Sequence, residues 1–210
     1  MRLLPAALLL VLLGTAVAEP ITVGARVGGY GFRNPDSVGD NGHVAWDECR
    51  MNGLGVFVRR GLGRFFAEGG ADVYFSESFP LPAADLASGD RQDRLSGLVT
   101  VAVGANLVRT KHFVGYAQLG AGLELTQFRF SHGEDELEDQ RALPLGFVGL
   151  GGELRLGDRT SLGANLRAHV MGNFDAAYQP DREVWDPMSD HLEVRPEAAA
   201  QGQFYVAYQL

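Results

Sequence analysis

Apolar and polar residues alternate with a period of two along most of the chain, and no segment sustains a helical period. Successive side chains of a strand point to opposite faces, so each run predicts a strand with one apolar face. Eight runs occur, at 21–32, 53–60, 65–76, 95–107, 113–130, 143–156, 161–174 and 198–210. The fourth is the cleanest: Leu95, Val99, Val101, Val103, Ala105 and Leu107 oppose Ser96, Thr100, Ala102, Gly104 and Asn106. The fifth slips in parity near Gln127 and Phe128, which predicts a bulge. The sixth is ambiguous in parity.

The connections alternate long and short. Arg33 to Met51, Glu77 to Arg94, Ser131 to Arg141 and Asp175 to Pro196 read as long polar loops. Gly61 to Gly63, Arg109 to Lys111 and Gly157 to Arg159 read as tight turns. An even strand number with this alternation is the pattern of bacterial outer-membrane barrels. Aromatic residues cluster near the strand ends, where interface girdles belong: Phe65, Phe66, Phe113 and Tyr208 at one rim, Phe32, Phe75, Phe128, Phe130 and Phe174 at the other. The expected fold is all-β, an eight-stranded antiparallel up-and-down transmembrane β-barrel.

The final stretch carries a family likeness. Phe204, Val206, Tyr208 and Leu210 share one strand face, behind Gly202. This ending resembles the C-terminal assembly signal of outer-membrane barrels, whose last residue is usually Phe where this chain has Leu. With the strand pattern, the chain resembles the OmpA- and OmpX-like barrels over nearly the whole of 19–210. The resemblance implies a Gram-negative outer-membrane location, contact with outer-membrane lipid, and assembly by the barrel-insertion machinery. It assigns no function by itself.

A soluble lipocalin-like binding barrel has the same strand number, and the two differ in which face is inside. The polar set here includes Arg26, Glu68, Asp72, Glu124, Glu153, Arg155, Arg167 and His169, mixed in sign, in a chain with very little lysine. That set reads as a packed and paired lumen, since eight-stranded barrels fill their interior with side chains.

Residues 1–18 read as a secretory signal peptide: Arg2, an apolar stretch from Leu3 to Leu13, and Ala16-Val17-Ala18 before Glu19. The apolar stretch is shorter than the roughly 20 residues of a transmembrane helix. Residues 19–210 would be one barrel domain. The lone Cys49 excludes an intramolecular disulfide. A formal net charge of −8, without a basic cluster, argues against a nucleic-acid partner.

Candidate chemistry is sparse. Ser131, His132 and Glu134 lie at one loop edge, and His169 lies on the seventh strand. A nucleophile and its base must meet in space, and adjacent strand residues point apart. Lipid A deacylases place His and Ser two apart on a strand; here Met171 follows His169 at that spacing. His169 reads instead as a lumen residue bonded to a neighbour such as Glu124. No catalytic residue, cofactor or metal ligand is therefore assigned. Glu134, Asp135, Glu136, Glu138 and Asp139 form a solvated acidic face, with a divalent cation site as the sharper alternative. Arg59, Arg60, Arg64, Arg109, Lys111 and Arg159 fall at the short turns, and Trp46 and Trp185 lie in long loops. The expected role is a non-enzymatic outer-membrane barrel with long acidic loops, structural or adhesive, or one component of an envelope complex whose partner meets those loops. A narrow passive channel is the alternative.

Overall fold

A computed structural model describes residues 20–33, 48–76, 79–80, 91–132, 135–173 and 195–210. The expected signal peptide, most of three long loops, Glu134, Trp46 and Trp185 lie outside the described residues. The strands are β1 (Ile21–Arg33), β2 (Glu48–Leu62), β3 (Phe65–Ser76), β4 (Phe79–Pro80), β5 (Arg91–Arg109), β6 (Phe113–His132), β7 (Asp135–Arg155), β8 (Thr160–Asn173) and β9 (Arg195–Gln209). β4 has two residues and pairs only with the start of β5. The other eight form one antiparallel ring in the order β3-β2-β1-β9-β8-β7-β6-β5, closed by β3 on β5.

Closure between the chain ends is continuous. β1 pairs with β9 from Thr22↔Gln209 to Phe32↔Ala199. A closed ladder leaves no sheet edge and satisfies the backbone internally, which lipid requires. At the short-turn end the backbone is also pinned: Leu210 N donates to Ile21 O at 2.8 Å, and Gln209 N donates to Arg159 O at 2.8 Å.

The alternation sorts most side chains by face. Among the described residues, 29 large apolar side chains point outward, including Val27, Val101, Leu150, Leu166 and Phe204, each at 60% exposure or more. Arg26, Glu68, Asp72, Glu124, Arg167 and His169 point inward and are buried. A soluble monomer rarely exposes an apolar patch beyond a few hundred Å². Here apolar side chains ring the outside of the barrel while the charged strand residues are turned inward, so the wall faces lipid.

The structure corrects two local expectations and resolves a third. The acidic stretch from Ser131 to Arg141 is not a long loop. β6 and β7 run on as a hairpin, paired without a break from Phe113↔Leu154 to His132↔Asp135. Backbone pairing does not need apolar side chains, so an antiparallel ladder can continue above the membrane, with Glu138 opposite Arg129. At 20 and 21 residues, these strands are about twice the 9–11 that cross a bilayer. The bulge expected at Gln127 and Phe128 is absent; the register of β5 on β6 shifts instead between Asn106 and Val108. The ambiguous parity of β7 has a plain cause: Leu143, Leu145 and Phe147 are apolar yet face the lumen.

Lipid-facing positions give a direct test. Val101→Arg, near the middle of β5, should destabilise the barrel by about 2–4 kcal/mol, and Leu156→Arg, at the short-turn rim, by about 0–1 kcal/mol. Urea unfolding from lipid vesicles measures both. Equal and small losses would contradict a lipid-facing wall.

Candidate functional site

The lumen is built around Glu68. Its Oε1 accepts from Arg167 Nη2 at 2.7 Å and from Arg26 Nη1 at 3.2 Å. Its Oε2 accepts from Arg59 Nη2 at 2.8 Å and Nε at 3.0 Å. One carboxylate thus meets three guanidinium groups, from β1, β2 and β8. Asp72 and Glu153 complete the balance. Asp72 takes Arg26 as a two-pronged fork, at 2.6 and 2.7 Å, the geometry that suits a guanidinium best. Glu153 accepts from Arg59 Nη1 at 3.1 Å. The buried Arg26 and Arg167 and the part-buried Arg59 therefore face three carboxylates, and none of these charges lacks a partner.

Local sequence makes this fork possible. Gly55 lies between Arg26 and Asp72 in the register of β1, β2 and β3. A Cβ there would sit 1.9 Å from Asp72 Oδ1, and one at Gly70 would sit 2.2 Å from Arg26 Nη2. Glycine at both positions leaves the space that the ion pair fills.

Arg59 is also enclosed by rings. Its guanidinium lies 4.7 to 5.8 Å from the ring centres of Phe66, Tyr116, Phe57 and Tyr205, and a desolvated cation gains from ring faces at such distances. Tyr116 and Tyr205 share a hydroxyl–hydroxyl bond of 3.2 Å, and Tyr205 donates to Glu153 at 3.2 Å. This cluster caps the lumen toward the short turns. In the sequence Arg59 falls close to a short turn. Its parity, opposite Leu54, Val56 and Val58, is the signal that puts it inside.

The other half of the lumen is mixed. Glu124 accepts from Tyr30 at 2.9 Å and from Ser96 at 2.7 Å. Gln201 and Gln203 both donate to the Tyr74 hydroxyl, at 2.8 and 2.9 Å. Met51, Leu98, Leu145, Phe147 and Met171 fill the space between. His169 is not held by Glu124, contrary to the sequence reading. It lies between the Tyr30 and Phe147 rings at 5.7 and 5.3 Å, and neither ring nitrogen makes a well-formed hydrogen bond. Aromatic packing, which alternation does not reveal, positions it instead. Along the same wall, Gln118, the Asn165 oxygen and Arg167 Nε and Nη1 have no protein hydrogen bond.

Arg155 shares the inward parity but stands at the mouth, half-buried and with no ion pair among the described residues. It lines a cavity of about 640 Å³ at the short-turn end, with Arg59, Arg109, Lys111, Glu153 and Arg159. Phe204, Val206, Tyr208 and Leu210 lie on the outer wall of β9 and just beyond it. Ser131 and His132 end β6, opposite Glu136 and Asp135. Among the described residues no cluster of His, Cys, Asp and Glu could hold a metal ion.

No family model matches the sequence, and no curated protein matches it. Solved structures share its architecture. Neisserial surface protein A matches over 90% of this chain and 97% of its own, at 12% identity and a TM-score of 0.58. Ail, the attachment invasion locus protein of Yersinia pestis, matches over 92% and 100%, at 12% identity and a TM-score of 0.53. Ail in complex with the heparin analogue sucrose octasulfate gives 0.52 over the same shares, again at 12% identity. The likeness is one of fold: this chain is a closed eight-stranded barrel of the outer-membrane type.

Glu68→Gln should show what the hub contributes. It leaves three lumen guanidinium groups facing two carboxylates, and should cost about 3–5 kcal/mol in urea unfolding. Glu153→Gln should cost less, because Arg59 keeps Glu68. A larger loss for Glu153→Gln would place the hub elsewhere.

Proposed function

We propose that this protein is a non-enzymatic scaffold of the bacterial outer membrane, which holds its long acidic loops at the cell surface for structural or adhesive contact. Insertion would proceed through the barrel machinery, with Phe204, Val206, Tyr208 and Leu210 as its recognition face. The observation that carries the reading is the filled lumen. Glu68, Asp72 and Glu153 tie Arg26, Arg59 and Arg167 across the interior, and rings close the short-turn side. An eight-stranded barrel packed in this way has no porin-like bore. The polarity of its two faces opposes the soluble lipocalin-like reading.

The non-enzymatic part rests on His169, enclosed by Tyr30 and Phe147 and two residues from Met171. Neither imidazole nitrogen has a hydroxyl in hydrogen-bond reach, as a base that activates a nucleophile requires. The two surface proteins that share the fold carry attachment or surface location in their names, which favours a role at the cell surface. A narrow passive channel is the second reading. The unpaired polar atoms of Gln118, Asn165, Arg167 and His169 along one lumen wall favour it, since buried groups of this kind are commonly satisfied by water.

Planar-bilayer recording decides between the two. The folded protein should show no steady conductance, while cells lacking it should lose adhesion or envelope integrity that the intact gene restores. Steady unitary currents from the folded barrel would replace the scaffold reading with the channel.

A further inference from the structure

The short-turn mouth is chemically unlike the rest of the molecule. The chain carries a formal net charge of −8, yet Arg109, Lys111, Arg155 and Arg159 converge on one cavity of about 640 Å³. None of them has an ion pair among the described residues. The other charged side chains at the rim of that cavity are Asp158, and Arg59 and Glu153, which satisfy each other at 3.1 Å. The local balance is strongly positive, in a volume suited to a small molecule.

The turn backbones that carry these cations are hydrogen-bonded, while the side chains of Arg109, Lys111 and Arg159 are exposed and that of Arg155 is half-buried. Arg109 and Lys111 flank the β5–β6 turn, where Phe113 N donates to Thr110 Oγ1 at 3.0 Å and Thr110 N donates to Phe113 O at 2.8 Å. Arg155 N donates to His112 O at 2.9 Å, which ties this turn to the end of β7. Leu156 N donates to Thr160 O at 2.9 Å, and the Arg159 guanidinium donates to the Tyr208 hydroxyl at 3.4 Å. Three arginines and a lysine on hydrogen-bonded turns, around one concave space, bring four cations within reach of a single small anion.

We infer that this vestibule binds a phosphate-bearing anion. Guanidinium forks match both carboxylate and phosphate. Four unpaired cations against Asp158 favour the multiply charged group over a single carboxylate. The ligand could bring its phosphate as a soluble solute or as the headgroup of an anionic lipid. The cavity opens along the barrel axis, within the ring of strand ends.

The test uses the full-length barrel folded in neutral detergent, with retained heat-modifiability as the folding control. Tripolyphosphate is the probe, followed by titration calorimetry. Wild type should bind it one to one. Arg109→Gln with Arg155→Gln should weaken binding by at least about tenfold. Arg64→Gln removes a cation that does not line the cavity, though it donates to the Asn106 carbonyl at the rim at 3.4 Å, and should change binding by less than about twofold. Lys111→Gln gives a second, milder variant should the double one fail to fold, and should weaken binding more than Arg64→Gln does. No binding by wild type, or an equal loss on Arg64→Gln, overturns the inference. Nanodiscs of phosphatidylcholine, with or without phosphatidylglycerol, separate the sources. Competition by phosphatidylglycerol identifies a lipid headgroup, and its absence identifies a soluble phosphate; either result upholds the site.

Discussion

Everything in this molecule follows from a wall that offers no hydrogen bonds to its surroundings. In lipid, each backbone N–H and C=O must be answered within the sheet, and only a closed ladder does so. Closure of β9 on β1, from Thr22↔Gln209 to Phe32↔Ala199, is therefore the condition for every other feature. Because side chains alternate strictly, closing the ring with apolar residues outside forces every second residue inside. The charged residues of the strands lie inside because the exterior could not hold them.

A polar interior must then solve its own problem. Burying charges costs far more than a surface pair returns, unless they are paired closely. Glu68 answers this by meeting guanidinium groups from three strands, which joins distant parts of the ring through one carboxylate. Asp72 and Glu153 make the local charge neutral. The same tie explains the many glycines. Tyr205 lies against Gly163, Tyr116 against Gly151, and Phe66 against Gly104, so each ring fills space that a side chain on the neighbouring strand would have occupied. Rings and ion pairs together fill a narrow lumen.

Much of this was legible in the sequence, for a physical reason. Period-two alternation survives because one residue of slip would turn charge toward lipid. Arg26, Glu68, Asp72, Arg167 and His169 are inward by parity alone. Partners were not legible. Glu68 and Arg167 are 99 residues apart, and only the strand order and the stagger of closure bring them together. Arg59 was hidden because it lies close to a turn. The inward face of Leu143, Leu145 and Phe147 was hidden because part of the lumen is apolar, so both faces of β7 look alike. The β6–β7 hairpin was missed because acidic residues suggest a loop, while an antiparallel ladder above the membrane tolerates them.

The filled lumen moves the functional question to the two ends. An ionic hub shared among three strands is hard to open in part. Freeing one arginine leaves a buried charge with a diminished partner, and freeing all three exposes several such groups at once. A barrel committed to this packing gains a rigid wall and gives up an open bore. Rigidity is useful to a surface scaffold, since binding loops work best on elements that do not move. The ends differ in charge. The extended β6–β7 hairpin carries Asp135, Glu136, Glu138 and Asp139 at one end, while unpaired arginines gather at the other. Such a molecule presents different chemistry on each side of one membrane, with a neutralised core between them.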